Sequence, residues 1–128
     1  MMMRRSATAV LERNVTWSGE FATEPWEAAW AGEAMFFVRR LDGLIASDPS
    51  AVPAPLLSAR VQLSPDGIRW IDEGCSLVLN ADDEMAFVRV REFGGWLRLA
   101  GTVRPGETAK VIAYLSLKES ALHHCAVA

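Results

Sequence analysis

At 128 residues with 51% apolar side chains, the chain has the size of one domain, able to bury roughly two thirds of the surface its unfolded form exposes without a disulfide or metal staple. Mean hydropathy is positive at +0.13, yet no apolar run approaches the ~20 residues of a membrane helix, so no membrane partner is expected. A net charge of −3 and a pI near 5.4 run opposite to the clustered basic excess of a nucleic-acid surface, and no nucleic-acid partner is expected either.

The N-terminus opens on the basic start of a signal peptide, Met1-Met2-Met3-Arg4-Arg5, but Thr8 interrupts its apolar part and Glu12 and Arg13 stop it. Export by that route is not expected, which leaves a cytoplasmic or virion-associated setting. Residues 1–13 read as an N-terminal extension, residues 14–118 as the folded domain, and residues 119–128 as a tail without a pattern.

Within the domain, Val15, Trp17 and Phe21 alternate with Thr16, Ser18 and Glu20, which predicts a first strand near Asn14 to Ala22. Glu24-Pro25 closes it. The next segment carries two patterns. Trp26, Trp30, Ala34, Phe37 and Leu41 recur at helical intervals, whereas Met35, Phe37 and Leu41 share one strand face and Ala34, Phe36 and Val38 the other. Gly32 is poor in a helix interior, so the preferred reading is a turn or one helical turn near Trp26, then a strand from Glu33 to Leu41. Asp42 to Pro55, with Asp42-Gly43, Asp48-Pro49 and Pro53, reads as an excursion loop.

Leu57, Ala59, Val61 and Leu63 then alternate with Ser58, Arg60, Gln62 and Ser64, a half-buried strand. Ser64-Pro65-Asp66-Gly67 fits a type I turn, with Pro65 preset for the second position and Gly67 suited to the fourth, so a tight hairpin leading to Trp70 is expected. Further strands are expected at Ser76 to Asn80, Met85 to Phe93, Trp96 to Val103 and Thr108 to Leu117, separated by polar turns at Ala81 to Glu84 and Arg104 to Glu107 and by Gly94-Gly95, a hairpin turn or a bulge. On the last strand Ala109, Val111, Ala113, Leu115 and Leu117 fill one face, and Ile112 and Tyr114 sit on the other. About seven to nine short antiparallel strands at roughly ten-residue spacing define an all-β, two-sheet β-sandwich, with a jelly roll as one arrangement of it.

The chemistry-bearing residues give no catalytic or metal-binding set. His123, His124 and Cys125 are adjacent, and neighbouring residues rarely converge on one ion; nor does a chain terminus hold a base rigidly beside a nucleophile. Cys75 and Cys125 read as free thiols in a reducing compartment. Asp72-Glu73 and Asp82-Asp83-Glu84 lack the ligand spacing of a calcium loop, and the carboxylate pairs Glu27 with Glu33 and Glu73 with Glu84 show no enforced separation of the kind glycoside hydrolysis needs. No cofactor, no metal and no enzymatic activity are expected. Arg39, Arg60, Arg69, Arg89, Arg91 and Arg98 fall in predicted strands, where outward arginines pair across strands and protect edges. Trp17, Trp26, Trp30, Trp70 and Trp96 suit a core or an interface, with stacking on carbohydrate as the alternative.

The segment Ser58-Ala-Arg-Val-Gln-Leu-Ser-Pro-Asp-Gly-Ile-Arg-Trp-Ile-Asp72, with Trp96-Leu-Arg-Leu-Ala-Gly-Thr-Val103 after it, resembles small β-sandwich proteins among phage and prophage structural genes. The Asp-Gly-x-x-Trp hairpin is also similar to hairpins of discoidin-like sugar-binding sandwiches. The first resemblance implies a component of a virion or shell-like assembly, the second a carbohydrate-binding module. Strands apolar on both faces, as at Phe36, Phe37 and Val38, point independently to a partner, because a two-layer domain buries only one face of each sheet. The expected function is therefore a self-associating structural or interaction subunit, meeting its partner through a sheet face or through Trp26, Trp30, Phe36 and Val38. Pro65, Asp66, Gly67 and Trp70 are expected to shape the central turn.

Overall fold

The computed structural model describes residues 5–42 and 55–119. Most of the excursion loop, together with His123, His124 and Cys125, lies outside the described residues. Among the described residues nine strands form two antiparallel sheets: β1 Ser6–Trp17, β2 Glu20–Ala22, β3 Trp26–Glu27, β4 Glu33–Arg40, β5 Pro55–Ser64, β6 Ile71–Asn80, β7 Met85–Arg91, β8 Trp96–Val103 and β9 Ala109–Lys118. One sheet runs β1-β9-β4-β7; the other runs β2-β8-β5-β6, with β3 also on β8. The fold is the expected all-β sandwich. With β2 and β3 counted as one interrupted strand, the first strand pairs with the last, the second with the second-last, and so inward to β5 with β6. That nested pairing of a long hairpin rolled over on itself is a jelly roll.

The inner faces explain why these residues fold this way. Ala109, Val111, Ala113, Leu115 and Leu117 of β9 are all buried, as the alternation predicts, and meet Leu57, Ala59 and Val61 of β5 and Leu97 and Leu99 of β8 in one core. Phe36 and Val38 lie at its centre with no exposed surface.

Four expectations are corrected. Residues Ser6 to Arg13 are not an extension but the first part of β1, paired with β9 from Ser6 opposite Lys118. Register shifts between Val10 and Glu12 and between Glu12 and Val15, with Asn14 at φ 60°, break the two-residue period and hide the strand from an alternation test. The chain then turns at Gly19, φ 60°, so the single strand expected to Ala22 is two strands in different sheets. The β5–β6 hairpin is not tight: six residues, 65–70, separate its strands. Gly94-Gly95 makes neither a hairpin nor a bulge, because β7 and β8 belong to opposite sheets.

The strand expected from Glu33 is found as β4, Glu33–Arg40, but the turn expected near Trp26 is not there: Trp26–Glu27 is strand β3 on β8, and the turn lies at Ala29-Trp30. Among the described residues no helix is long and apolar enough to cross a membrane.

Candidate interaction surface

The two outer faces differ in chemistry. On the five-stranded sheet the outward positions are mainly polar and committed to one another. Arg60 Nε and Gln62 Nε2 both donate to Asp72 Oδ1 at 2.9 Å, and Arg98 Nε donates to Gln62 Oε1 at 2.8 Å. The hydrogen bonds from Gln62 and then Arg60 hold the Asp72 carboxyl below its usual range. The Arg98 guanidinium lies 4.3 Å from the centroid of Trp70, and the Trp96 ring packs against Gly67. One face of each indole is thus already covered.

The loop between β5 and β6 is held by its own side chains. Ser64 Oγ accepts from Asp66 N at 3.2 Å and Gly67 N at 2.8 Å and donates to Asp66 Oδ1 at 3.0 Å. Asp66 Oδ1 also accepts from Ile68 N and Arg69 N, each at 2.9 Å. Those backbone hydrogen bonds, Arg69 first, lower the Asp66 pKa. Asp66 and Gly67 do shape this connection, by side-chain capping of a wide loop rather than by a two-residue turn. Arg69 lies in this loop, not in a strand.

The four-stranded sheet presents an apolar outer face. Cross-strand register places Tyr114, Phe37 and Phe87 in one row over β9, β4 and β7, with Ile112, Arg39 and Met85 in the next row and Ser116, Met35 and Arg89 on the other side. Phe37 and Phe87 are ring neighbours at 6.2 Å. Met85 and Phe87 are 52% and 51% exposed, while Met35, Phe37, Ile112 and Tyr114 are half-buried. A cleft of about 450 Å³ opens where this face meets charge, lined by Glu33, Met35, Phe37, Arg89, Arg91 and Lys118 among others. Arg91 and Glu33 approach to 3.8 Å, as do Arg39 and Glu84 at the opposite end of the sheet. Other exposed apolar residues, Ile68, Ile71 and Val78, belong to the β5–β6 loop and the edge strand β6, where Ile71 and Val78 have opposite parity along the strand and make no common patch.

The structure separates the residues expected at an interface. Phe36 and Val38 are core, which corrects that assignment: β4 is apolar on both faces, and the face turned to the second sheet is the one they occupy. Trp26 is 39% exposed on β3, beside β8 in the other sheet. Trp30 is half-buried beneath the Arg5 guanidinium, 4.2 Å away. The four do not share one surface. Phe37, Phe87 and Met85 make the exposed patch instead. Their signal was present in the parity of β7, where Met85 and Phe87 alternate in step with Arg89 and Arg91, which mark the solvent side.

Arg40, which the sequence did not single out, is buried at the sheet end below Glu84. Its Nε donates to Asp42 Oδ1 at 3.0 Å and its Nη1 to the Ala81 carbonyl at 2.9 Å, and Asp42 Oδ2 accepts from Lys110 N at 3.2 Å. Burial pushes the Asp42 pKa up, but the Arg40 and Lys110 hydrogen bonds outweigh it and the net shift is downward.

Of the carboxylate pairs weighed from the sequence, Glu27 lies in one sheet and Glu33 in the other, and Glu27 Oε1 accepts from Ala29 N at 2.8 Å. Among the described residues no group of three or more His, Cys, Asp or Glu side chains converges. Fold and surface together define a jelly-roll β-sandwich with one polar, internally bonded outer face and one apolar outer face that none of the described residues covers. Comparison with family models, with curated proteins and with solved structures returned no match.

Proposed function

We propose that the chain is a non-enzymatic interaction subunit that self-associates through the outer face of its four-stranded sheet, the role implied by its resemblance to phage-type structural sandwiches. The observation that carries this reading is the exposure of Met85 and Phe87 beside Phe37, Tyr114 and Ile112. The inner face of that sheet is covered by the second sheet, whereas the outer face has no cover among the described residues. A contiguous apolar patch of this kind marks an interaction surface, and each large side chain removed from water contributes about 1–3 kcal/mol. Asp42, Asp66 and Asp72 are all shifted downward, their hydrogen bonds outweighing burial, opposite to what a general acid at neutral pH requires.

Light scattering tests the proposal. The wild-type chain is expected to be dimeric or larger at micromolar concentration, and Phe87→Arg to be monomeric and still folded, since that side chain is 51% exposed and contributes little to the core. A folded wild-type monomer under those conditions would refute it.

A further inference from the structure

The charges flanking the apolar patch have a polarity of their own along β7. In chain order the exposed side chains of β7 and of the turn before it run Asp82, Glu84, Met85, Phe87, Arg89, Arg91: acidic, apolar, basic, and Glu84 is brought to this face by its approach to Arg39. Phe87 sits at its middle, roughly 10 Å along the strand from Glu84 on one side and a similar distance from the midpoint between Arg89 and Arg91 on the other, at about 3.3 Å per residue. The neighbouring strands do not share this order: on β4 it is reversed, with Glu33 at the basic end and Arg39 at the acidic end, and on β9 Lys118 and Lys110 stand at the two ends.

The intramolecular pairs Arg91–Glu33 and Arg39–Glu84 are long at 3.8 Å, and their arginines are 72% and 48% exposed, so they are weakly committed and available to a partner. Arg89 lies 5.4 Å over the Phe87 ring, at the boundary of apolar and basic surface.

Resting on the self-association proposed above, we infer that two copies of this chain pack their four-stranded sheets face to face about a two-fold axis through Phe87, with the β7 strips antiparallel. That operation sets each acidic end, Asp82 and Glu84, on the partner's basic end, Arg89 and Arg91, and stacks apolar on apolar at the centre. A parallel arrangement sets like charges on each other. An isologous interface must be self-complementary in this sense, and charge order of this kind fixes orientation more than affinity. Four strands about ten residues long present a flat area of roughly 600 Å² per copy, close to the ~800 Å² per partner of a standard interface.

The experiment uses two charge-reversed chains, Arg89→Glu/Arg91→Glu and Asp82→Lys/Glu84→Lys, compared with wild type by sedimentation velocity. Each alone carries two like-charged ends and is expected to be monomeric, while an equimolar mixture forms a one-to-one dimer. Circular dichroism checks that both chains fold. Wild-type association is measured in parallel and is expected to weaken by roughly fivefold or more between about 50 mM and about 500 mM salt, as screened ion pairs do.

If wild type associates but both reversed chains do so equally well, if mixing fails to restore the dimer, or if salt has no effect, the antiparallel arrangement is wrong while self-association stands. A wild-type chain that stays monomeric overturns both.

Discussion

Gly67 holds φ at 78°, and a Cβ built on it lies 3.2 Å from the Trp96 ring, so a side chain there meets both a disfavoured backbone and a crowded indole. Gly67→Val is expected to cost about 1–3 kcal/mol, read from the urea midpoint, while Gly19→Ala costs less because nothing lies within 4 Å of its Cβ. Arg40 offers a second test. Its side chain is 2% exposed and that of Asp42 is 30% exposed, so Asp42→Ala strands a buried guanidinium and is expected to cost about 1–3 kcal/mol, more than Arg40→Met, which removes the buried charge.

Asp42, Asp66 and Asp72 also give a pH dependence. Their folded pKa values lie below the unfolded ones, so the stability they contribute is complete above the ordinary aspartate pKa near 3.8 and is lost as pH falls through the lower folded values. The thermal midpoint is expected to be flat from neutral pH to about 5 and to drop below about 4; a midpoint that rises on acidification would contradict the network.

At the scale of elements, the interruption between β2 and β3 is bridged by one side chain. Thr23 N donates to the Leu99 carbonyl at 2.9 Å, and Leu99 N donates to Thr23 Oγ1 at 3.0 Å, so a hydroxyl continues the ladder where the backbone leaves it. Thr23→Val keeps the shape and leaves the buried Leu99 amide without that acceptor, an expected loss of about 1–3 kcal/mol, whereas Thr23→Ser retains most of the stability.

Strands whose alternation is unbroken were legible from residues alone: β4, β8 and β9 begin and end within a residue of expectation, because one face of each meets the core and the period of two survives. β1 was not, since its bulges shift parity twice in one strand. The turn before Ile71 was legible as a turn and misread in width, because Ser64 and Asp66 satisfy the loop's amides through side chains, which turn propensities at Pro65 and Gly67 do not register.

For the whole molecule, the two-sheet architecture followed from strand count and punctuation, whereas the interaction surface required the three-dimensional register. Both faces of β4 are apolar, and it ends in Arg39-Arg40, one arginine per face. The charge that normally marks the solvent side therefore marks neither, and nothing in the sequence of β4 distinguishes Phe36 on the core side from Phe37 on the outer side. Phe36→Arg is expected to unfold the chain, because that side chain has no exposed surface, and Phe37→Arg to leave it folded.

The most direct test of association through the four-stranded sheet is side-chain oxidative footprinting of the wild-type chain below and above its association concentration. Met85, Phe87 and Tyr114 are expected to become protected on association while Ile68, Ile71 and Val78 stay reactive. Protection of that second set instead, or unchanged reactivity of Met85 and Phe87 in the associated state, would contradict the account.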